Sequence, residues 1–212
     1  MSLKKIFRSL QKELNIKDEV REKLLSYSRT VTRTSKQAIL MIHRSRFSDA
    51  EEKLRQAREK LEEIKKISLP HPELAHSGSL NAAYEEYAEA LAFFKFVKER
   101  RFLNPKEFGI PTICYLSGLA DMIGELRRRA LDSLRLGDLE NAENCLETME
   151  EVYIELVSIE NAHGLAPQIR RKTDVARILI ESTRGDVTTE TRRSLLETSL
   201  KTLEEKLGKL GR

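Results

Sequence analysis

An all-α protein, a single domain spanning residues 1–212 with about seven helices, is the fold that this sequence predicts.

 Three observations predict it. Apolar residues recur at three- and four-residue spacing through nearly every stretch, the mark of one-sided helices. No run shows the period-two alternation of a half-buried strand. Only 9 Gly and 5 Pro punctuate 212 residues, too few for the turns that a many-stranded sheet protein needs. A hydrophobic content of 40% suffices for a sizeable core and excludes a disordered chain.

The elements follow in order. Leu3, Ile6, Phe7, Leu10 and Leu14 share one helix face. Asn15 to Asp18 offers a cap, and a long amphipathic helix follows over 18–47. Ser48 and Asp49 cap a helix over 50–67 that is dense in Glu and Lys at i,i+4. Pro70, Pro72, Gly78 and Ser79 make 68–79 a loop. A helix over 80–102 ends at Asn104-Pro105, and the next starts after Pro111 and runs to about 136. Gly137-Asp138 reads as a helix stop followed directly by a new N-cap. The helix it opens reaches about 162, and Pro167 starts another to about 182. Arg184-Gly185-Asp186 is expected to turn the chain into a last helix over 189–210.

Composition excludes several classes of function. Against 34 Asp and Glu stand 38 Lys and Arg, a net charge of +4 that permits nucleic-acid binding without demanding it. Cys114 and Cys145 form neither a disulfide framework nor a Cys-x-x-Cys metal pair. No apolar run is long enough to span a membrane and no signal peptide opens the chain, so it reads as soluble and cytoplasmic with reduced thiols. Phosphate-binding glycine loops, Gly-x-Ser-x-Gly and His-Glu-x-x-His are absent. His43, His71, His76 and His163 share no helix face, which argues against a histidine-based zinc or iron centre.

Two helices carry the acidic candidates. Over 80–102 the sequence is apolar nearly all round, as in the central helix of a bundle. Yet Glu86 and Glu89, at i,i+3, share a face with Ala82 and Phe93. In the following helix Asp121 and Glu125, at i,i+4, share a face with Gly118 and Arg128, while Leu116, Leu119, Ile123 and Leu126 form the apolar side. Ser117 and Gly118 leave room for another backbone or a ligand to come close. Two readings stand for each pair: carboxylates at a solvated rim, balanced by Lys or Arg, or ligands to a cation in a shared cleft. In the second case, oxygen donors without histidine suit Mg²⁺ or Mn²⁺. The basic candidates are Arg29, Arg33 and Lys36 on one face of the long helix, Arg44 and Arg46 near its end, and Arg127, Arg128 and Arg129 beyond Glu125. They read either as a solvated face or as phosphate contacts, with Arg128 placed to meet a phosphate or to pair with Glu125 or Asp132.

The run Glu85-Glu86-Tyr87-Ala88-Glu89-Ala90-Leu91-Ala92-Phe93 and the run from Tyr115 to Leu126 resemble the translin family, in particular its translin-associated factor X branch. Arg128, Asp132-Ser133, Gly137-Asp138 and Arg184-Gly185 continue the resemblance in order, across nearly the whole chain. The basic, histidine-containing stretch of translin is reduced here to His76, and the 102–111 connection is shorter than in factor X, as suits a compact archaeal or other prokaryotic homologue. The resemblance implies that Glu86, Glu89, Asp121 and Glu125 form an acidic catalytic cluster that binds Mg²⁺ or Mn²⁺. It further implies a metal-dependent endoribonuclease acting on single-stranded RNA inside a closed, octamer-like homo-oligomer. The alternative it carries is a non-catalytic protein that binds single-stranded RNA or DNA. Leu195, Leu196, Leu200, Leu203, Leu207 and Leu210 exceed one narrow stripe on the last helix, which adds a separate reason to expect self-association.

Overall fold

The computed structural model describes residues 2–74, 78–159 and 166–210. Among the described residues it contains six α-helices and no strand. They are α1 (Leu3–His43), α2 (Phe47–Ser68), α3 (Gly78–Glu99), α4 (Thr112–Arg135), α5 (Leu139–Ser158) and α6 (Pro167–Leu210). His76 and His163 lie outside the described residues. Contacts divide the chain into two compact units, Met1–Leu119 and Ala120–Arg212.

In the first unit α1 packs along α2 and α3, and α2 packs on α3. The core follows from the helical spacing: Val31, Ala38 and Ile42 of α1 are fully buried, as are Ala50, Ala57 and Ile64 of α2. Helix α3 is as heavily buried as its apolar composition predicts, with Tyr87, Phe93 and Phe94 almost fully enclosed. A short 3-10 turn, Pro105–Phe108, follows it. Asn104 caps this turn by accepting a hydrogen bond from the Lys106 amide, and Gly109 at φ 64° ends it.

Two expected breaks are absent. Helix α1 runs without interruption through Asn15–Asp18, because the side chains that could have capped a new helix bond along the surface instead. Gln11 donates to Asn15 at 2.8 Å, and Arg21 donates to Asp18 at 3.0 Å. Helix α6 likewise continues through Arg184-Gly185-Asp186. There Arg184 reaches Glu150 at 2.7 Å, Asp186 accepts from Arg127 at 3.2 Å, and Thr189 donates to the Gly185 carbonyl at 2.8 Å. Tertiary partners on α4 and α5 thus hold helical a segment whose local sequence favours a turn. The stop at Gly137 occurs as expected: its φ is 77°, and the Asp138 side chain accepts from the Asn141 amide.

In the second unit α5 packs on α6, with Cys145, Met149 and Leu156 of α5 buried, as are Ile169, Ala176 and Ile180 of α6. None of the helices, among the described residues, is long and apolar enough to cross a membrane.

Candidate active site and nucleic-acid interface

Gly118 fixes how α4 meets α3. A Cβ placed on it would lie 2.7 Å from the Ala88 Cβ, 2.7 Å from the Glu89 amide nitrogen and 2.8 Å from the Glu85 carbonyl oxygen. Only a residue without a side chain lets the two backbones come this close. The contact falls on the turn of α3 that carries Glu86 and Glu89. It also explains why the buried face of α4 begins with Cys114, Ser117 and Gly118, whereas Leu116 and Leu119, expected on the apolar side, are only half-buried. Ile123 and Leu126 are buried as expected.

Each acidic pair has a lysine from another helix. In the first unit the Lys36 ammonium of α1 lies 3.0 Å from Glu86, whose side chain is 24% exposed. The hydrogen bond to Glu86 raises the pKa of Lys36, with smaller contributions from the Glu86 and Glu89 charges. In the second unit the Lys172 ammonium of α6 lies 2.6 Å from Asp121, and Arg128 stands 4.0 Å from Glu125. Lys172 was not apparent from sequence. The run Arg170-Arg171-Lys172 behind Pro167 was its only local signal, and nothing in that run points to a carboxylate 51 residues away. Asp121 and Lys172 line a groove of about 320 Å³ with Gly124 and Arg171.

Glu86 and Glu89 in the first unit, and Asp121 and Glu125 in the second, are partly shielded carboxylates, the oxygen donors that a hard divalent cation takes. As the side chains stand, no group of three or more His, Cys, Asp or Glu among the described residues is arranged to hold a metal ion. Glu86 and Asp121 are engaged by lysine instead.

The basic candidates separate by what they touch. Arg29, Arg33 and Lys36 line one open groove of about 750 Å³ on α1, together with Leu25, Leu40 and Ala82 of α3. Arg127 is a structural residue of the second unit: it donates to Thr183 at 2.7 Å and to Asp186 at 3.2 Å. Arg46 is paired with Asp49 at 2.6 Å. Arg128 remains about half exposed.

With six α-helices and no strand among the described residues, the chain matches known proteins in fold. The structure described as apo-NeC3PO superposes with a TM-score of 0.80 over 87% of this chain and 96% of that one, at 23% identity, a likeness of fold alone. Residues 19–181 match the translin family, and the chain belongs to that family. It is 34% identical over 175 residues to an uncharacterized protein of Methanocaldococcus jannaschii, covering 82% of this chain and 77% of that one. It is 26% identical over 187 residues to translin-associated protein X of Mus musculus, covering 69% of this chain and 64% of the mouse protein. The structure described as the AfC3PO–duplex RNA complex superposes with a TM-score of 0.80 at 32% identity, over 89% of this chain and 98% of that one.

Proposed function

We propose that this protein is a metal-dependent endoribonuclease that cleaves single-stranded RNA within a closed homo-oligomer in the cytoplasm. Glu86, Glu89, Asp121 and Glu125 are its proposed ligands for Mg²⁺ or Mn²⁺. The observation that carries the reading is the pairing of Glu86 with Lys36 and of Asp121 with Lys172: partly shielded carboxylates, each neutralised by a cation from a different helix. Such carboxylates have a standing need for positive charge, which a divalent ion meets more strongly than one ammonium. When bound, the ion would align a phosphodiester, acidify an attacking water and stabilise the leaving oxygen. Lys36 and Lys172, released from their carboxylates, would then face the phosphate.

Kinship with the AfC3PO structure that holds duplex RNA supports RNA as the ligand. Self-association is supported by Leu196, Leu200, Leu203 and Leu207, which are 51–59% exposed at the four-three-four spacing of a coiled-coil seam. A second reading, a non-catalytic protein binding single-stranded RNA or DNA, is favoured by the absence, among the described residues, of three gathered metal-ligating side chains.

Cleavage of a labelled single-stranded RNA with Mg²⁺, and with EDTA in its place, separates the two. Glu89→Gln and Asp121→Asn should each abolish Mg²⁺-dependent cleavage while circular dichroism stays unchanged. Full activity in both variants would remove these residues from the reaction, and RNA binding without any cleavage by the wild type would leave the second reading.

A further inference from the structure

A groove of about 320 Å³ lies between α4 and α6 in the second unit. Polar contacts clasp the two helices on either side of it. Lys172 meets Asp121 at 2.6 Å, and farther along both helices Arg127 donates to Thr183 at 2.7 Å. Between the clasps the space is open, since nothing lies within 4 Å of a Cβ built on Gly124. The lining is short. It spans two turns of α6, Arg171 to Leu179, about 12 Å, and one turn of α4, Ala120 to Gly124, about 6 Å. Its floor is apolar, with Ala120 and Ala176 buried, and Val175 forms an exposed wall. The charges of Asp121 and Lys172 cancel, whereas Arg171 has no ion pair among the described residues. A helix favours almost any residue over glycine, and a packed interface fills such a gap, so neither local propensity nor packing accounts for Gly124. A flat apolar ring joined to a single anion fits the slot and the spare cation together. A nucleotide has that form.

We infer that this groove is a nucleoside subsite: it seats one unpaired base of the RNA against Ala120, Gly124 and Ala176, and Arg171 binds the phosphate attached to it. The inference rests on the RNA reading above and adds to it the part of the RNA that is recognised. Asp121 belongs both to the groove and to the proposed ligand set, so the seated nucleotide lies beside the phosphodiester to be cut. The volume suits one nucleoside. The floor carries no side-chain donor or acceptor, so the seat tells an unpaired base from a paired one rather than one base from another.

Gly124→Leu fills the groove from α4, and Val175→Trp fills it from α6, at a residue that is 52% exposed; neither removes a charge. Fluorescence anisotropy in EDTA, so that no strand is cut, would compare both variants with wild type on hexauridylate and on a six-nucleotide abasic strand. Circular dichroism checks folding, and Val175→Trp decides the question if Gly124→Leu does not fold. The expected result is roughly tenfold weaker binding of hexauridylate by each variant, as for the loss of one base contact, with the abasic strand unchanged. Arg171→Ala should weaken both probes and make the salt slope shallower by about 0.7, the value for one phosphate contact on a single strand. Equal weakening of both probes by the filling variants, or no weakening of either, would overturn the subsite while leaving RNA binding intact. An unchanged slope in Arg171→Ala would overturn it too. A fall in oligomer mass with hexauridylate binding unchanged would assign the groove to a second copy of the chain and overturn it as well. Failure of the wild type to bind either probe would refute the RNA reading itself, and the subsite with it.

Discussion

Replacing Gly118 by alanine tests a close approach of α4 to α3 in the first unit. The added Cβ would lie 2.7 Å from the Ala88 Cβ, against an ordinary carbon–carbon separation of about 3.5 Å, so α3 and α4 must part locally by about 0.8 Å (3.5 − 2.7). Two of the three obstructing atoms are backbone, the Glu89 nitrogen and the Glu85 oxygen, and cannot swing away as a flexible side chain would. Overpacking of this kind costs about 1–3 kcal/mol, and the helix propensity gained from alanine returns about 1 kcal/mol. The expected net loss is about 0–2 kcal/mol, at the upper end if the backbones cannot separate. Gly124 supplies the control on the same helix, since nothing lies within 4 Å of a Cβ placed there. Gly124→Ala should therefore stabilise the protein by about 0.5–1 kcal/mol. Urea denaturation followed by circular dichroism reads both changes as shifts of the midpoint in opposite directions. A Gly118→Ala variant stabilised as much as Gly124→Ala would refute the close approach, and equal losses in both variants would show that contact with α3 is not their cause.

Burial raises the pKa of the Tyr87 hydroxyl to about 12, so the folded state holds that proton more tightly than the unfolded chain does. Its contribution is complete below about pH 10 and is lost as pH rises to about 12, in all about 2–3 kcal/mol. Tyr87→Phe should show a shallower fall in stability across that window, and an unchanged slope would count against the burial argument. A triple alanine variant at Arg29, Arg33 and Lys36 should bind single-stranded RNA more weakly, with a salt slope shallower by about 2, the value for three lost phosphate contacts. An unchanged slope would return these residues to a solvated face. Light scattering on the wild type should give a mass well above the 24.4 kDa of one chain, and the double change Leu200→Glu with Leu207→Glu should lower it. A wild-type mass of one chain would exclude the closed assembly.

The sequence disclosed the helical class and the heavy burial of α3, because apolar spacing reports directly on burial. Gly137-Asp138 was legible for a similar reason: stop and cap are local chemistry. Asn15–Asp18 and Arg184–Asp186 misled because the same polar residues serve equally as caps or as helix-surface partners. Distant residues decide between those uses, and in the second case they are Glu150 and Arg127. For the candidate site, spacing and resemblance identified the four carboxylates but not their counter-ions. Lys36 and Lys172 come from other helices, and only the folded chain brings them to Glu86 and Asp121. The groove on α1 was half legible. Its cations share a helix face that the sequence displays, whereas its lining also includes Ala82 of α3.

The unbroken α1 has a consequence for how the molecule responds to stress. Its 41 residues extend about 60 Å at 1.5 Å per residue, yet residues 3–16 are exposed and Leu24 is its first buried residue. An isolated helix of about 14 residues is marginal in water, so the start of α1 draws its helicity from the anchored half that follows. Amide protons should therefore exchange in a gradient along one element, fast near Leu3 and slow near Val31, with no hinge between them. A substitution early in α1 would change fraying and leave the melting of the core untouched, and one beyond Leu24 would change both. A single helix would thus belong to two cooperative regimes, and deletion of its first three turns would shorten it without loosening the bundle.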